Sequence, residues 1–402
     1  FYTVGIEETP GAGADPLNNG WQYSKKITIL ASEVAADLTN FPVLIRTTDP
    51  DWADTSNGGN VAQSDGGDIL FMAGNRITKL DHEIEKYDET TGELVAWVDA
   101  TSLSASEDTD IYILYGNADA VDQWNPTGAG VWEPSYTGVW HLSESPGDGV
   151  AGHLDSTWNN NVGTPQDFQD GDGGTTGAQG IVAGADKYET GSPADDRVEI
   201  PDDDSLTPTG DLSVEAWVKL DAVSNTHIVY KRHSASPWFS YQMVVNAPNQ
   251  ALFQWTNSGG PYFDATMSSG SLSAGTWYHL VGVKDGTTVR LYVNGSDSNT
   301  TTAITSGTYL NSDEELNIGA SYFGGTCPDG VIDEVRISKV AHSAAWIETQ
   351  YNNQKPNATF YVIDDDWVGP CWDGNYAYRK KLTITAGSAD IPADYSVSVT
   401  LD

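Results

Sequence analysis

Apolar residues recur at alternate positions along this chain in short runs, and clusters of Gly, Asn, Asp and Ser divide each run from the next. The early runs are "KKITIL", "FPVLIRT", "DILFMAG", "LVAWVDA" and "DIYILYG". Later ones are "DRVEIP", "LSVEAWVKL", "THIVYKR", "YQMVVNA", "ALFQWTN", "WYHLVGVKDG", "TVRLYVNG", "ELNIGA" and "VIDEVRIS". A period of two over such short stretches predicts strands, and close spacing with turn chemistry between them predicts antiparallel sandwiches. The Asn-Gly after "TVRLYV" is a strong hairpin signal. One stretch departs from this period: in "SAAWIETQYNNQKP", Trp346, Ile347 and Tyr351 recur at helical spacing, and Asn353 and Pro356 close the helix. The expected fold class is all-β, with two antiparallel, jelly-roll-like β-sandwich domains in series and one short C-terminal helix in the second.

A length of 402 residues exceeds what one ordinary core organises. The Pro- and Gly-rich "WNPTGAGVWEP", residues 124–134, divides a first sandwich over 20–126 from a second over 131–362. The acidic, Gly/Pro-bearing "VIDDDWVGPCWDGN" then supplies a linker, residues 363–375. The two ends repeat material from the interior. "YRKKLTIT" from Tyr378 restates "YSKKITIL" from Tyr23, an offset of 378 − 23 = 355. "YSVSVTL" from Tyr395 likewise follows the pattern of "FPVLIRT" from Phe41. "FYTVGIEE" at the start parallels "FYVIDDD" from Phe360, an offset of 360 − 1 = 359. Residues 1–19 are therefore expected to be the end of a preceding repeat, and residues 376–402 the first hairpin of the next. The reading is one period of a tandem array of whole domains, whose true start precedes Phe1.

Charge narrows the partners. Fifty-seven acidic residues against 19 Lys plus Arg give a net charge of −38. That surface repels phosphate backbones and anionic bilayers, so neither nucleic acid nor membrane insertion is expected. It suits divalent cations and also, without any metal, a solvated surface in a salt-adapted setting. No run approaches the roughly 18 apolar residues of a spanning helix. Cys327 in "GGTCPDG" and Cys371 in "VGPCWDG" both lie in Gly/Pro turns and not in strand patterns. In an extracellular chain they would pair as one disulfide. Asn294, Asn299 and Asn357 head glycosylation-type sequons, which fits secretion.

Two family resemblances rest on particular stretches. "WQYSKKITI" followed by "LDHEIEKYDETTGELVAWVDATSLSASEDTDIYILYGN" resembles the domain of unknown function 2341, found on bacterial and archaeal surface and secreted proteins. Residues 138–362 resemble a concanavalin A-like, laminin G-type sandwich. The matching pieces stand in family order: "GVWHLSE", "LDSTWNNNVGT", "LSVEAWVKL", "GTWYHLVGVKDGTTVRLYVNG", "LNIGAS" and "GVIDEVRISKVAHSAAWIETQYNNQ". This second resemblance implies two curved sheets that bind carbohydrate or protein, often with one calcium ion. Carried onto this chain, the calcium ligands are Asp155 and Asp333, with Asn160 or a nearby carbonyl adding a neutral oxygen. The reading without metal is that Asp155 supports a turn and Asp333 ends a strand. An ion there would staple a loop and not activate water.

Glycan recognition needs exposed rings beside amides and carboxylates. Trp238, Tyr241, Trp255, Tyr262 and Tyr322 are available, although most Trp and Tyr in a sandwich are core. Trp238, Trp255 and Tyr262 are the ligand-binding candidates, Trp238 and Tyr262 first because they stand nearest loops. Catalytic motifs are missing: there is no nucleophile elbow, no His-Glu-x-x-His and no phosphate loop. "DGDGG" at 170–174 starts like a calcium loop but has Ile181 where the closing Glu belongs. Pairs such as Glu83/Glu85 and Asp333/Glu334 could mimic a glycosidase dyad. Alternation instead places Glu83 and Glu85 on a solvated strand face opposite Ile84. The expectation is a non-enzymatic repeat unit of an extracellular adhesive or fibre-forming surface protein, contacting adjacent copies head to tail and a glycan or surface protein. The alternatives are a binding segment of a secreted carbohydrate-active enzyme and a filament subunit that exchanges strands with its neighbours.

Overall fold

The computed structural model describes residues 3–8, 20–124, 130–132, 134–146, 152–168, 178–189, 196–207, 209–246, 248–258, 260, 262–268, 270–304, 310–320, 327–364 and 380–385. The side chains of residues 3–8, 299–301 and 380–385 are not among them. Cys371, Tyr322, the 170–174 loop and the strand expected from Tyr395 all lie outside the described residues.

Among the described residues the chain is all-β apart from one helix and short 3-10 turns, and its strands form two jelly-roll-like sandwiches. In the first sandwich a five-stranded sheet runs in the order Tyr361–Asp364, Tyr23–Ile29, Thr109–Tyr115, Leu70–Ala73, Lys79–Leu80. It faces a three-stranded sheet of Phe41–Thr48, Glu93–Ala100 and His82–Asp88. Alternation decides what is enclosed: Ile27, Ile29, Ile111 and Ile113 of one sheet meet Val43, Ile45, Ala96 and Val98 of the other.

The second sandwich is larger. Its seven-stranded sheet begins with the short strands Thr164–Gln166, Arg197–Ile200 and Leu316–Gly319, and continues through Thr226–Arg232, Phe239–Asn246, Gln250–Thr256 and Tyr262–Thr266. The opposing eight-stranded sheet centres on Asp329–Ser338, Leu212–Ala222, Trp277–Asp285 and Thr288–Val293. Val214, Ala216 and Val218 point inward with Leu280 and Leu291, against Met243, Val245 and Phe253. Gly282 lies so close that an added Cβ would stand 2.2 Å from the Phe253 ring, so a side chain there would part the sheets. Cys327, 2% exposed, belongs to this core, which corrects the expectation that both cysteines avoid core positions.

The helix spans Ala344–Gln354 and is capped by Ser343, whose hydroxyl accepts the Trp346 N–H. Asn353, expected to end it, is inside it and buried: its amide bonds both the N–H and the carbonyl of Leu44 in the first sandwich. The helix thus lies against both bodies. Between them runs a third apolar layer, where Leu44, Val95 and Trp97 meet Val131, Trp132, Tyr136, Val139 and Trp217.

The expected boundary at 362/363 falls inside a strand. Residues Tyr361–Asp364 cross back and pair with Tyr23–Ile29, so the chain closes the first sandwich after completing the second. Thr3–Glu8 and Lys380–Thr385 pair with each other in a register of the same kind. Tyr361 opposes Ile29 as Val4 opposes Ile384, so the equivalent offset is 361 − 4 = 357, two residues from the 359 read off the letters. A shift of two leaves every side chain on its own face.

Candidate functional site

Two places concentrate chemistry. The first lies on the outer face of the seven-stranded sheet, where adjacent strands set polar side chains in a row. His227 Nε2 stands 3.1 Å from Gln242 Oε1, Gln242 donates to Gln254, and Gln254 donates to Asp264 over 2.7 Å. The last three are direct register partners, so the row follows from strand pairing itself. Aromatic rings flank it. Trp238 is 47% exposed and Tyr262 48% exposed, and the Tyr262 ring stacks on Phe239 at 5.1 Å. Tyr230 Oη donates to the Trp238 carbonyl over 2.8 Å, which holds a backbone whose φ of 76° is unusual for Trp. Together Trp238, Tyr262, Phe239, Tyr230, His227 and Gln242 line a cleft of about 450 Å³. Burial holds the His227 imidazole down at about 4, so it is neutral at ordinary pH.

Trp238 and Tyr262 are therefore brought together. Trp255 is not with them: it is 7% exposed, turned inward against Phe263, and part of the core. Tyr241 is also buried, its hydroxyl donating to the Leu206 carbonyl. Trp158, 70% exposed, was passed over by the sequence reading; its neighbourhood "STWNNN", polar on every side, is the signal that could have singled it out.

The second place is the junction of the sandwiches. Glu83 and Glu85 share a face, as alternation requires, but that face meets the second sandwich and not solvent. Glu83 is 6% exposed. Its carboxylate accepts from Trp132 Nε1 over 2.7 Å and from Ser156 Oγ over 2.6 Å. Glu85 accepts from Trp97 Nε1 over 2.9 Å. Pairing with Glu93–Ala100 slips between Ile84 and Lys86, so Glu85 is the extra residue of a β-bulge. A second bulge lies across the junction, where Asp329–Ser338 slips against Leu212–Ala222 at Glu334, whose φ is 51°. Both bulges turn a glutamate onto His141: Nδ1 is 2.8 Å from Glu334 Oε1 and 3.5 Å from Glu85 Oε2, while Nε2 is 3.4 Å from Glu83 Oε2.

Arg336 completes the cluster. It pairs with Glu334, lies 3.5 Å from Glu215 Oε1, and stacks 4.4 Å from the Trp97 ring centroid. Burial alone would lower the His141 pKa, but Glu334, Glu85 and Glu83 overcome it and raise it well above the usual range. Burial, opposed by His141, pushes Glu85 up to about 8. Burial opposes ionisation of Glu334 too, yet His141 and Arg336 hold its pKa below the ordinary value. A cleft of about 540 Å³ opens beside Glu85, walled by Lys86 and Glu93 on one side and Ser143, Gln179 and Val182 on the other.

The calcium candidates separate. Asp155 accepts from the backbone of Val139, Thr157 and Asn161 and from the Thr157 hydroxyl, at 2.8–3.0 Å. Asn160 is exposed in the same turn, with φ 53°. Asp333 faces elsewhere, its Oδ2 accepting from the N–H groups of Ile181 and Val182. Cys327 Sγ lies 3.3–3.5 Å from the carbonyls of Glu189, Asp196 and Pro328. Among the sequons, Asn294 uses its side-chain oxygen to accept the His279 N–H, while Asn357 is exposed at φ 56°. Asn299 lies in the strand Ser296–Ala303 with its side chain outside the described set.

Comparison with known proteins finds the two families in the same order along the chain. Residues 190–348 match the concanavalin A-like lectin/glucanases superfamily, and residues 65–133 match a domain of unknown function, 2341. No curated protein matches. Among solved structures, domain 4 of AbnA, an extracellular arabinanase from Geobacillus stearothermophilus in complex with arabinotriose, is 20% identical. That match covers 55% of this chain and 99% of the domain, with a TM-score of 0.41. The binding domain of Paraclostridial Mosquitocidal Protein 1 is 12% identical over 54% of this chain and 52% of its own, with a TM-score of 0.42. The ligand-binding domain of botulinum neurotoxin serotype D, in complex with N-acetylneuraminic acid, is 14% identical over 55% and 52%, with a TM-score of 0.40. The chain thus spans about half the length of these toxin domains. Among the described residues no helix is long and apolar enough to cross a membrane.

Proposed function

We propose that this chain is a repeat unit of an extracellular adhesive or fibre-forming surface protein, and that it binds glycan through the outer cleft of its concanavalin A-like sandwich. The observation that carries the reading is the pair of half-exposed rings, Trp238 and Tyr262, over the row His227–Gln242–Gln254–Asp264. A sugar presents an apolar ring face and a rim of hydroxyls that both donate and accept. Aromatic rings serve the face, and amides with a carboxylate serve the rim. The superfamily matched by residues 190–348 includes lectins, which agrees with this division of labour. The repeated ends support arrangement in series: Glu7 stands opposite Lys381 in the terminal pair as Asp364 stands opposite Lys26 in the first sandwich. Copies joined head to tail would repeat this seam along the array.

The test is to present the chain to a panel of immobilised glycans and follow the best ligand by calorimetry with Trp238→Ala and Tyr262→Ala. Binding that survives both substitutions, or binding to no glycan at all, overturns the cleft. Electron microscopy of the native protein tests the serial arrangement separately.

A further inference from the structure

We propose that the junction of the two sandwiches is a divalent transition-metal site, with Glu85, His141 and Glu334 as ligands and an open position toward the cleft beside Glu85. The argument begins with geometry. One ligating atom from each residue lies within 4.8 Å of the others. The Nδ1–Oε separations of 2.8 and 3.5 Å fall within the edges of a coordination shell, since bonds of about 2.0–2.2 Å to nitrogen and oxygen set adjacent ligands roughly 2.8–3.6 Å apart, octahedral to tetrahedral. The donor set of one imidazole and two carboxylates suits zinc, manganese or iron(II); calcium and magnesium prefer oxygen alone.

Three features support a cation at this point. Glu85 Oε1 and Asp333 Oδ1 are buried with no hydrogen-bond partner, although the Glu85 side chain is 2% exposed and the Asp333 side chain belongs to a residue wholly buried. Acid also outnumbers base: Glu83, Glu85, Glu215, Asp333 and Glu334 are set against Arg336, His141 and the His279 that pairs with Glu215. Buried acid in excess of base is unfavourable unless it is protonated or meets a cation. Finally, the outer layer is already arranged. Glu83 stands behind the His141 Nε2 and is itself fixed by Trp132 and Ser156, the carboxylate–imidazole pairing that orients a metal-bound histidine.

The chemistry follows from the origin of the ligands. Glu85 comes from the first sandwich, Glu334 from the second, and His141 from the segment after Tyr136–Trp140, so an ion would cross-link the two bodies. The bulges at Glu85 and Glu334 are then local distortions that aim two carboxylates at one point.

The experiment uses the full chain freed of metal with EDTA and titrated with ZnCl2 by calorimetry, with thermal unfolding followed in parallel. One zinc ion per chain is expected, with a rise in the unfolding temperature and, on Co2+ substitution, visible ligand-field bands. Glu85→Gln at the cleft mouth should abolish stoichiometric binding. Glu83→Gln, which touches no metal, should weaken it by about tenfold or more, and Asp155→Asn should leave it unchanged. Absence of saturation at one equivalent, or saturation indifferent to Glu85→Gln and Glu83→Gln in chains that remain folded, overturns the site and leaves His141 as a buried imidazolium. Neither outcome bears on the glycan cleft, which shares no residue with it.

Discussion

Lys26 and Asp364 are register partners with Nζ and Oδ2 3.1 Å apart, although an entire second sandwich lies between them in the chain. The strand that closes the first sandwich is thus delivered by the end of the second. Phe360, 1% exposed, sits in the first core at that return, and Tyr361 Oη exchanges hydrogen bonds with the backbone of Arg46. Phe360→Ala should cost about 3–5 kcal/mol in the first sandwich. Denaturant unfolding watched by Trp fluorescence would measure it; an unchanged midpoint would mean that the returning strand is ornamental.

Much of this fold was legible because the period-two runs state which side chains share a face. That information does not say what each face meets. Glu83 and Glu85 were correctly placed together and wrongly left in water, because the covering surface comes from a different sandwich. The overlooked sign was "LVAWVDA": Leu94, Ala96 and Val98 enter one core while Val95 and Trp97 enter another, so the strand is apolar on both faces. Trp238 could be told from Trp255 only in part, since both neighbour turns. Alternation within "ALFQWTN" sends Phe253 and Trp255 inward together. The bulge at Glu334 left no mark in the letters; it sits at the break where Gly184–Tyr188 gives way to Tyr136–Trp140 along one edge of Asp329–Ser338, a junction set by strands far away in sequence.

Opposite behaviour is expected of the two tryptophans once proposed together. Trp238→Ala removes a ring that is half in water and should leave stability within about 0.5 kcal/mol while weakening glycan binding. Trp255→Ala empties a core position and should cost about 3–5 kcal/mol. Urea midpoints beside glycan titrations separate the two effects.

Arg336 carries the charge balance of the junction. It is 1% exposed, bonds Glu334 and lies against Glu215, and packs over the rings of both Trp97 and Trp132. Arg336→Met keeps most of the stem and removes the guanidinium, leaving buried carboxylates without their partner. The expected loss is about 3–5 kcal/mol, read as a drop in unfolding midpoint. A variant as stable as the parent would show that the junction tolerates unpaired acid.

Stability of the second sandwich should fall in mild alkali through His153. This imidazole is fully buried, with Nδ1 3.2 Å from Glu144 Oε2 and Nε2 3.1 Å from Asp186 Oδ2. Burial alone would lower its pKa, but those two acids more than offset it and lift it to about 9, against 6.5 for a free histidine. A folded-state value above the unfolded one means the folded chain holds the proton more tightly. The stabilisation is therefore complete below about pH 6.5 and is lost as pH rises through about 9; for a shift of this size it is on the order of 3 kcal/mol. Glu85, at about 8, and His141, raised above the usual range, also contribute to the slope there, so the difference between parent and His153→Gln is what isolates the imidazole. His153→Gln should be less stable than the parent at about pH 6 and should flatten the decline toward about pH 9.5. Urea midpoints for both chains across that interval decide the matter, and equal slopes would remove His153 from the account.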